Sequence, residues 1–134
     1  MLDTEMIVTP GAYFAAAAGV LLLPMNWLTA AVTAAGFHEL CHLAVLRFFK
    51  IPIYQIKIGS FGAKITTSPM LPRMELLCAA AGPAGSFCLL LLLRWFPLLG
   101  FLGMMQGLFN MLPIYPMDGG RIIRSIFVLA KNRH

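Results

Sequence analysis

The sequence predicts a single-domain, all-α polytopic membrane protein over residues 1–134, with about four transmembrane helices and one short β-hairpin. Composition is the first reason, because 60% of the residues are hydrophobic and only 11% are charged, against about 25% charged in a soluble domain. The mean hydropathy of +0.83 is the second. The third is a series of long stretches without charge, which a chain of this size could not bury in a soluble interior. A soluble enzyme, a disordered chain and a disulfide-stapled secreted domain are therefore excluded.

The first two predicted helices share one uncharged region. No Asp, Glu, Lys or Arg lies between Glu5 and Glu39. This region is too long for one crossing and suits two short ones of roughly 17–25 residues. A Pro-Met-Asn-Trp sequence at residues 24–27 supplies the turn, because proline interrupts helices and tryptophan favours the membrane interface. We therefore expect helices over residues 7–23 and 28–49.

The segment after the second helix has the pattern of a β-hairpin. Apolar and polar residues alternate from Tyr54 to Ile58, a Gly-Ser-Phe-Gly turn follows at 59–62, and a second extended run covers 63–66. Period-2 alternation around a glycine-containing turn is typical of paired strands. We expect a hairpin over residues 53–66, with a plain interfacial loop as the alternative.

Two further uncharged stretches predict the third and fourth helices, over residues 76–93 and 95–117. Pro113 and Pro116 must break the fourth helix near its end, because proline has no backbone N–H to donate. After this break, residues 119–131 can resume as a helix.

Basic residues predict the orientation in the membrane. If all four helices cross, Arg94 lies alone on one side and the other nine Lys and Arg residues lie opposite. Cytoplasmic segments are enriched in Lys and Arg, so we expect a multi-pass cell-membrane protein with both termini in the cytoplasm. The net charge of +5 is too scattered for a nucleic-acid-binding face, and no nucleic acid partner is expected. The nine residues are Arg47, Lys50, Lys57, Lys64, Arg73, Arg121, Arg124, Lys131 and Arg133.

Residues 38–42 read His-Glu-Leu-Cys-His, an H-E-x-x-H pattern inside the second predicted helix. Helical residues four apart lie on one face, so His38 and His42 can bind one Zn²⁺. Glu39 then lies beside the metal, where it can take a proton from the metal's water. A chance match is the alternative, but unpaired ionisable groups in an apolar helix cost several kcal/mol, so a metal or charge partner is expected.

Asp118 is the candidate for the third protein ligand that a catalytic zinc needs. It follows the proline-broken helix, and the glycines at 119–120 permit backbone angles that aim a carboxylate inward. Its depth also agrees, since His42 lies five residues before Arg47 and Asp118 three residues before Arg121. The alternative is a carboxylate that ends the helix and pairs with Arg121.

Taken together, these residues resemble the site-2 proteases, which are intramembrane zinc metalloproteases. The likeness rests on H-E-x-x-H in one helix and on N-x-x-P-x-x-P-x-D-G from Asn110 to Gly119 in a later one. It extends to the order of helices, the hairpin and the Ala-Gly-Pro-Ala-Gly-Ser sequence at residues 81–86. The hairpin turn and the lack of a PDZ insertion are most similar to the branch with the sporulation protease that acts on a sigma-factor precursor.

The resemblance implies one Zn²⁺ per chain, with His38, His42 and Asp118 as its ligands. It also implies that Glu39 is the catalytic acid/base and that Asn110 helps hold the substrate. The expected activity is peptide-bond hydrolysis in or near the transmembrane segment of a single-pass or membrane-associated protein, in contact with the lipid bilayer.

The hairpin adds expected substrate contacts. A helical substrate must unwind before its backbone can be cut, and an exposed strand edge can hold the unwound stretch by β-addition. We assign Ile56, Ile58 and Phe61 to this binding.

Two positions depart from the family pattern, because Cys41 stands where relatives often carry glycine and Ser86 where many carry asparagine. A thiolate ligand at Cys41 is conceivable, but a small packing residue is preferred. A polar role for Ser86 stays open. Gly103 and Gly107 form a G-x-x-x-G pair that suits close helix contact within the chain, with a homo-oligomer left open.

Two other functions compete with proteolysis. One is a catalytically inactive membrane adaptor of the same fold that binds a partner protein. The other is a small metal transporter with His38, His42 and Asp118 on its path, for which four helices and one ligand cluster are a poor match.

Overall fold

The computed structural model describes residues 4–59, 62–114 and 117–133. This part of the chain forms a mostly helical fold with one small sheet, as the sequence predicts. A short 3₁₀ helix, Leu89–Leu92, extends the third helix. The elements in chain order are β1 (Glu5–Val8), α1 (Pro10–Leu22), α2 (Met25–Phe48), β2 (Ile53–Gly59), β3 (Gly62–Thr67), α3 (Pro72–Cys88), α4 (Pro97–Asn110) and α5 (Asp118–Lys131).

The start of the chain corrects the helix expected over residues 7–23, because Ile7 and Val8 belong to strand β1. Pro10 is the cause. Proline favours the first position of a helix and keeps the residue before it extended. Thr9 accordingly has φ −77° and ψ 155°, and its side-chain oxygen accepts a hydrogen bond from the backbone N–H of Ala12 at 3.3 Å. The helix α1 therefore begins three residues later than predicted.

The predicted hairpin is present but belongs to a three-stranded sheet in the order β1-β2-β3. Strands β2 and β3 are antiparallel, and Lys57 lies opposite Lys64. Strand β1 pairs in parallel with the other side of β2, and the Thr9 hydroxyl donates to the Ile58 carbonyl at 3.0 Å. Strand β2 is consequently the central strand, and β3 is an edge strand.

Two helices are long and apolar enough to cross a membrane: α2, with 24 residues, and α3 with its 3₁₀ extension, with 21. By contrast, α1 has 13 residues and α4 has 14, which is short of the roughly 17 that a crossing needs. The prediction of about four transmembrane helices is therefore not confirmed by the described helices.

The fourth helix ends earlier than the predicted break. It stops at Asn110, three residues before Pro113, since the residue that precedes a proline is disfavoured in helical conformation. Pro116, the second predicted break point, lies outside the described residues. The break separates α4 from α5 and leaves Asp118 at the start of the new helix.

Polar and apolar side chains are distributed as expected for a protein in an apolar environment. Leu21 and Phe48 are 83% and 81% exposed, and an exposed apolar surface of this kind marks contact with lipid or an apolar partner. The interior instead holds several polar side chains, which in membrane helices are typical of functional sites. The buried polar residues are His38, His42, Ser86, Asp118 and Ser125.

Helix α3 is central and packs against α2, α4 and α5. Glycines permit the close approach. A Cβ atom at Gly103 would lie 2.7 Å from Leu89 Cδ1, and one at Gly107 would lie 3.1 Å from Phe87 Cε1. The G-x-x-x-G pair of α4 thus packs within the chain, which confirms that prediction.

Candidate metal centre

Three side chains from two distant parts of the chain converge in the interior. His38 and His42 come from consecutive turns of α2, and Asp118 comes from the first residue of α5. The two Nε2 atoms are 3.2 Å apart, and each lies 3.0 Å from Asp118 Oδ2. The structure therefore brings together the three residues that the sequence predicts as ligands.

The arrangement fits a tetrahedral zinc site. With zinc–nitrogen and zinc–oxygen bonds of about 2.0–2.1 Å, neighbouring ligand atoms in a tetrahedron are about 3.3 Å apart. The observed separations of 3.0–3.2 Å are close to that value. Two imidazoles and one carboxylate are also a donor set that suits zinc and leaves one position open, and the three residues are a group that could hold a metal ion.

In each imidazole, the Nδ1 atom, which points away from the ligand cluster, has a hydrogen-bond partner of its own. His42 Nδ1 lies 2.7 Å from the Cys78 carbonyl oxygen, which can only accept, so Nδ1 carries the proton. His38 Nδ1 lies 2.8 Å from the Ser86 hydroxyl. In the neutral His42 ring, Nε2 then offers its lone pair toward the ligand cluster. The Ser86 hydroxyl can donate or accept, and His38 has the same tautomer when that hydroxyl accepts from Nδ1. Partners of this kind fix the tautomer and the orientation of metal-binding histidines.

Gly82 makes room for both imidazoles. A Cβ atom at this position would overlap His42 Nε2 and lie 2.7 Å from His38 Nε2. Cys78, Gly82 and Ser86 recur every four residues along α3, so they share one helix face. On this face, the Cys78 carbonyl and the Ser86 hydroxyl contact the two histidines of α2, and the lack of a side chain at Gly82 leaves room for both rings.

Asp118 is held on both sides of its carboxylate. Oδ2 faces the two histidines, whereas Oδ1 lies 3.6 Å from Arg121 Nη1. Arg121 Nε in turn lies 3.9 Å from Glu75 Oε1. The longer contact with Arg121 therefore accompanies the contacts with the two histidines and does not replace them.

Glu39 lies beside the cluster, as its place in the helix predicts. Its side chain is half-buried and reaches the start of β3, since a Cβ atom at Gly62 would be 3.7 Å from Glu39 Oε1. Cys41 faces elsewhere, and a Cβ atom at Gly85 would overlap its Sγ. This position favours the packing role over a thiolate ligand.

A cavity of about 840 Å³ opens onto the cluster, and His38, Glu39, His42 and Asp118 all line it. Asn110 lines it as well and donates through Nδ2 to the Gln106 carbonyl at 2.9 Å. Consecutive residues over 62–68 line one side. Since successive strand residues point to opposite faces, a continuous run means that the cavity lies along the edge of β3.

Two expected substrate contacts lie elsewhere. Ile56 and Ile58 sit on the central strand and are not among the residues that line the cavity. The reason is the alternation of the strand, because Lys57 and Gly59, which line the cavity, point to the opposite face from Ile56 and Ile58. Phe61, the third expected contact, lies outside the described residues.

Sequence reasoning missed two parts of the site, Gly82 and the Cys78 carbonyl, and it left open the polar role of Ser86, whose hydroxyl meets His38. The four-residue spacing of small residues on α3 is the signal that could have indicated a face pressed against another helix. It could not have indicated which histidine each residue meets.

Comparisons with known proteins give relatives that are named as zinc metalloproteases. No family model matches the chain. A zinc metalloprotease of Methanocaldococcus jannaschii is 33% identical over 103 residues, which cover 66% of this chain and 30% of that protein. Rip3 of Mycobacterium tuberculosis, whose name assigns it provisionally to the zinc metalloproteases, is 28% identical over 109 residues. The match covers 66% of this chain and 27% of Rip3, so the chain spans about a third of the curated relatives or less.

The site-2 protease from Methanocaldococcus jannaschii has a similar structure. The TM-score is 0.73 at 24% sequence identity, over 95% of this chain and 68% of the other. The chain therefore has the fold of that protease, and its sequence relatives support a metalloprotease. These matches do not single out the sporulation branch.

Proposed function

We propose that this chain is the core of an intramembrane zinc metalloprotease of the site-2 protease type. One observation carries the proposal. Two imidazole Nε2 atoms and one carboxylate oxygen lie 3.0–3.2 Å from one another. The Nδ1 atom of each imidazole contacts a residue of α3, which orients the ring. An interior built this way holds a cation, and the relatives named as zinc metalloproteases support zinc as that cation.

His38, His42 and Asp118 would hold the ion. When bound, zinc supplies a Lewis acid that acidifies water and polarises the scissile carbonyl. Glu39 takes the proton of the attacking water and gives it to the leaving amine. Its half-buried position beside the ligands suits this role, because a general base must reach the substrate without binding the metal.

The edge of β3 supplies the substrate site. An unwound substrate segment adds to this edge as a further strand, with main-chain hydrogen bonds for affinity. The cavity along residues 62–68 also contains Glu39, so a strand added there passes the catalytic group. Asn110 lines the same cavity and helps to hold the substrate backbone.

The substrate is a membrane protein with a single span or a membrane-associated segment. The apolar helices α2 and α3 and the exposed apolar side chains support a location in the bilayer. The distribution of Lys and Arg supports a multi-pass topology in the cell membrane with both termini in the cytoplasm. The catalytic machinery forms one domain over residues 1–134.

Glu39→Gln tests the proposal when zinc content and cleavage are measured on the same preparation in lipid vesicles. The probe is a tagged single-span membrane protein with a glycine- and proline-weakened helix. We expect zinc to stay at one per chain and cleavage to fall about 10²–10⁴-fold, the usual contribution of a general base. Glu5→Gln is the matched control, because Glu5 lies on β1 away from the cavity. This variant should keep both its zinc and its cleavage activity.

The competing functions give different results. An inactive adaptor of the same fold would show no zinc-dependent cleavage, and Glu39→Gln would leave its partner binding intact. A transporter would move metal across the vesicle membrane and would stop doing so in Asp118→Asn. Either result would replace the protease assignment.

A further inference from the structure

We propose that Lys57 and Lys64 form an anion-recognition site in the substrate cavity and select substrates that carry an acidic side chain. This inference rests on the proposed protease function and names the class of substrate. It concerns the strand added to β3, not the metal ligands.

The two lysines are direct cross-strand partners. Lys57 of β2 lies opposite Lys64 of β3, so their Cβ atoms are about 4.5–5.5 Å apart on one face of the sheet. Like charges in this arrangement destabilise a sheet. Across the described ranges, the ion pairs involve His38, His42 and Arg121, and neither lysine takes part in one. The pair therefore lacks the counter-charge that would offset its repulsion.

On the central strand β2, the lysine face borders the cavity, whereas residues of both faces of the edge strand β3 border it. Strand β2 is described in full, and of its residues Lys57 and Gly59 line the cavity, while Ile56 and Ile58 on the opposite face do not. Lys64 lines it from β3. Both lysines thus line the groove that a substrate strand would fill.

Two of the three acidic groups that line the same cavity contact other residues. Asp118 contacts His38 and His42, and Glu75 contacts Arg121. Glu39 lies near Gly62, two residues along β3 from Lys64, or about 6.6 Å at 3.3 Å per residue. An acidic side chain from outside the chain is the counter-ion that the lysine pair fits.

This spacing also sets a register. A substrate residue opposite Lys64 lies two residues from the one opposite Gly62, where Glu39 reaches the added strand. An acidic residue at that position would pin the substrate with its backbone next to Glu39. Moving it by one residue would turn it to the other face and away from both lysines.

The test uses the full chain with zinc in phosphatidylcholine vesicles. The probes are tagged single-span proteins whose segment at the cleavage region is neutral except for one Glu, which is moved one residue at a time. We expect kcat/KM to rise about three- to tenfold over the all-neutral probe at alternate positions only. Sodium chloride at 0.5 M should reduce the preference, because it screens exposed charges.

Charge exchange sharpens the test. Lys64→Glu should abolish the preference for Glu, because the new carboxylate pairs with Lys57 across the strands. The double variant Lys57→Glu/Lys64→Glu should reverse it, so that a Lys at the favoured substrate position outperforms Glu. Lys50→Glu is the matched control, because Lys50 does not line the cavity, and it should keep the wild-type preference. Binding of the same probes to Glu39→Gln, followed by fluorescence anisotropy, should show the same alternation without any cleavage.

Three results would overturn the inference. Equal kcat/KM for all Glu positions, with robust cleavage of the neutral probe, would leave the protease and remove its acidic preference. Activation by phosphatidylglycerol that depends on the lysines but not on the substrate's charge would identify a lipid headgroup as the anion. No zinc-dependent cleavage of any probe and no alternation in binding would remove both the protease and its selectivity.

Discussion

The metal centre and the sheet differ in how much of their bonding capacity the chain itself uses. Around the centre, His38 and Ser86 are 2% and 0% exposed, and each imidazole nitrogen has a partner. Along β3, Lys64 and Thr66 are exposed and the outer edge borders an open cavity. The difference fits the proposed function. Close packing holds the candidate metal ligands in place, whereas the unpaired edge of β3 stays available to bind a substrate strand.

Breaking the sheet should give the largest effect and should separate the two regions. In Ile56→Pro the central strand loses a backbone N–H and with it a ladder hydrogen bond. We expect cleavage of the single-span probe to fall below detection, while zinc stays at one per chain. Metal analysis and cleavage on one preparation provide the measurement.

Ile56→Val is the control, because valine keeps the N–H and the β-branched shape. It should cleave at nearly the wild-type rate. Full activity in Ile56→Pro would remove the sheet from substrate binding, and loss of zinc would show that the two regions are not independent.

The contrast also explains what the sequence could predict. The ligands were predictable because two of them sit four residues apart on one helix and the third follows a proline-broken helix. Strand β1 was not, since its partner β2 lies about fifty residues away in the chain and an isolated apolar segment does not reveal such pairing. The roles of Gly82 and Ser86 depend on how α3 packs on α2, which no local pattern encodes.

Filling the gap beside the imidazoles should give the next largest effect. In Gly82→Ala the new methyl group would overlap His42 Nε2, so the ring or α3 must shift. We expect zinc affinity to fall about 10–100-fold, as for other changes that disturb the groups behind metal ligands. Competition with a chromogenic chelator measures the affinity.

Gly36→Ala is the matched control on α2, because a Cβ atom there would meet no described atom within 4 Å. It should keep its zinc affinity and gain stability, since alanine favours a helix over glycine by roughly 1 kcal/mol. Wild-type zinc affinity in Gly82→Ala would show that the site does not need the close approach of α3.

The smallest expected effect separates two buried serines. Ser86 Oγ lies 2.8 Å from His38 Nδ1, whereas Ser125 Oγ has no hydrogen-bond partner in the described part of the chain. In Ser86→Ala, His38 Nδ1 loses its partner, and we expect zinc affinity to fall about tenfold. In Ser125→Ala no hydrogen bond is lost, so zinc affinity should not change and thermal stability should stay the same or rise. Equal zinc affinities in the two variants would mean that packing alone orients His38. Rescue of the Ser86 site by Thr, but not by Val, would identify the hydroxyl as the group that holds the ring.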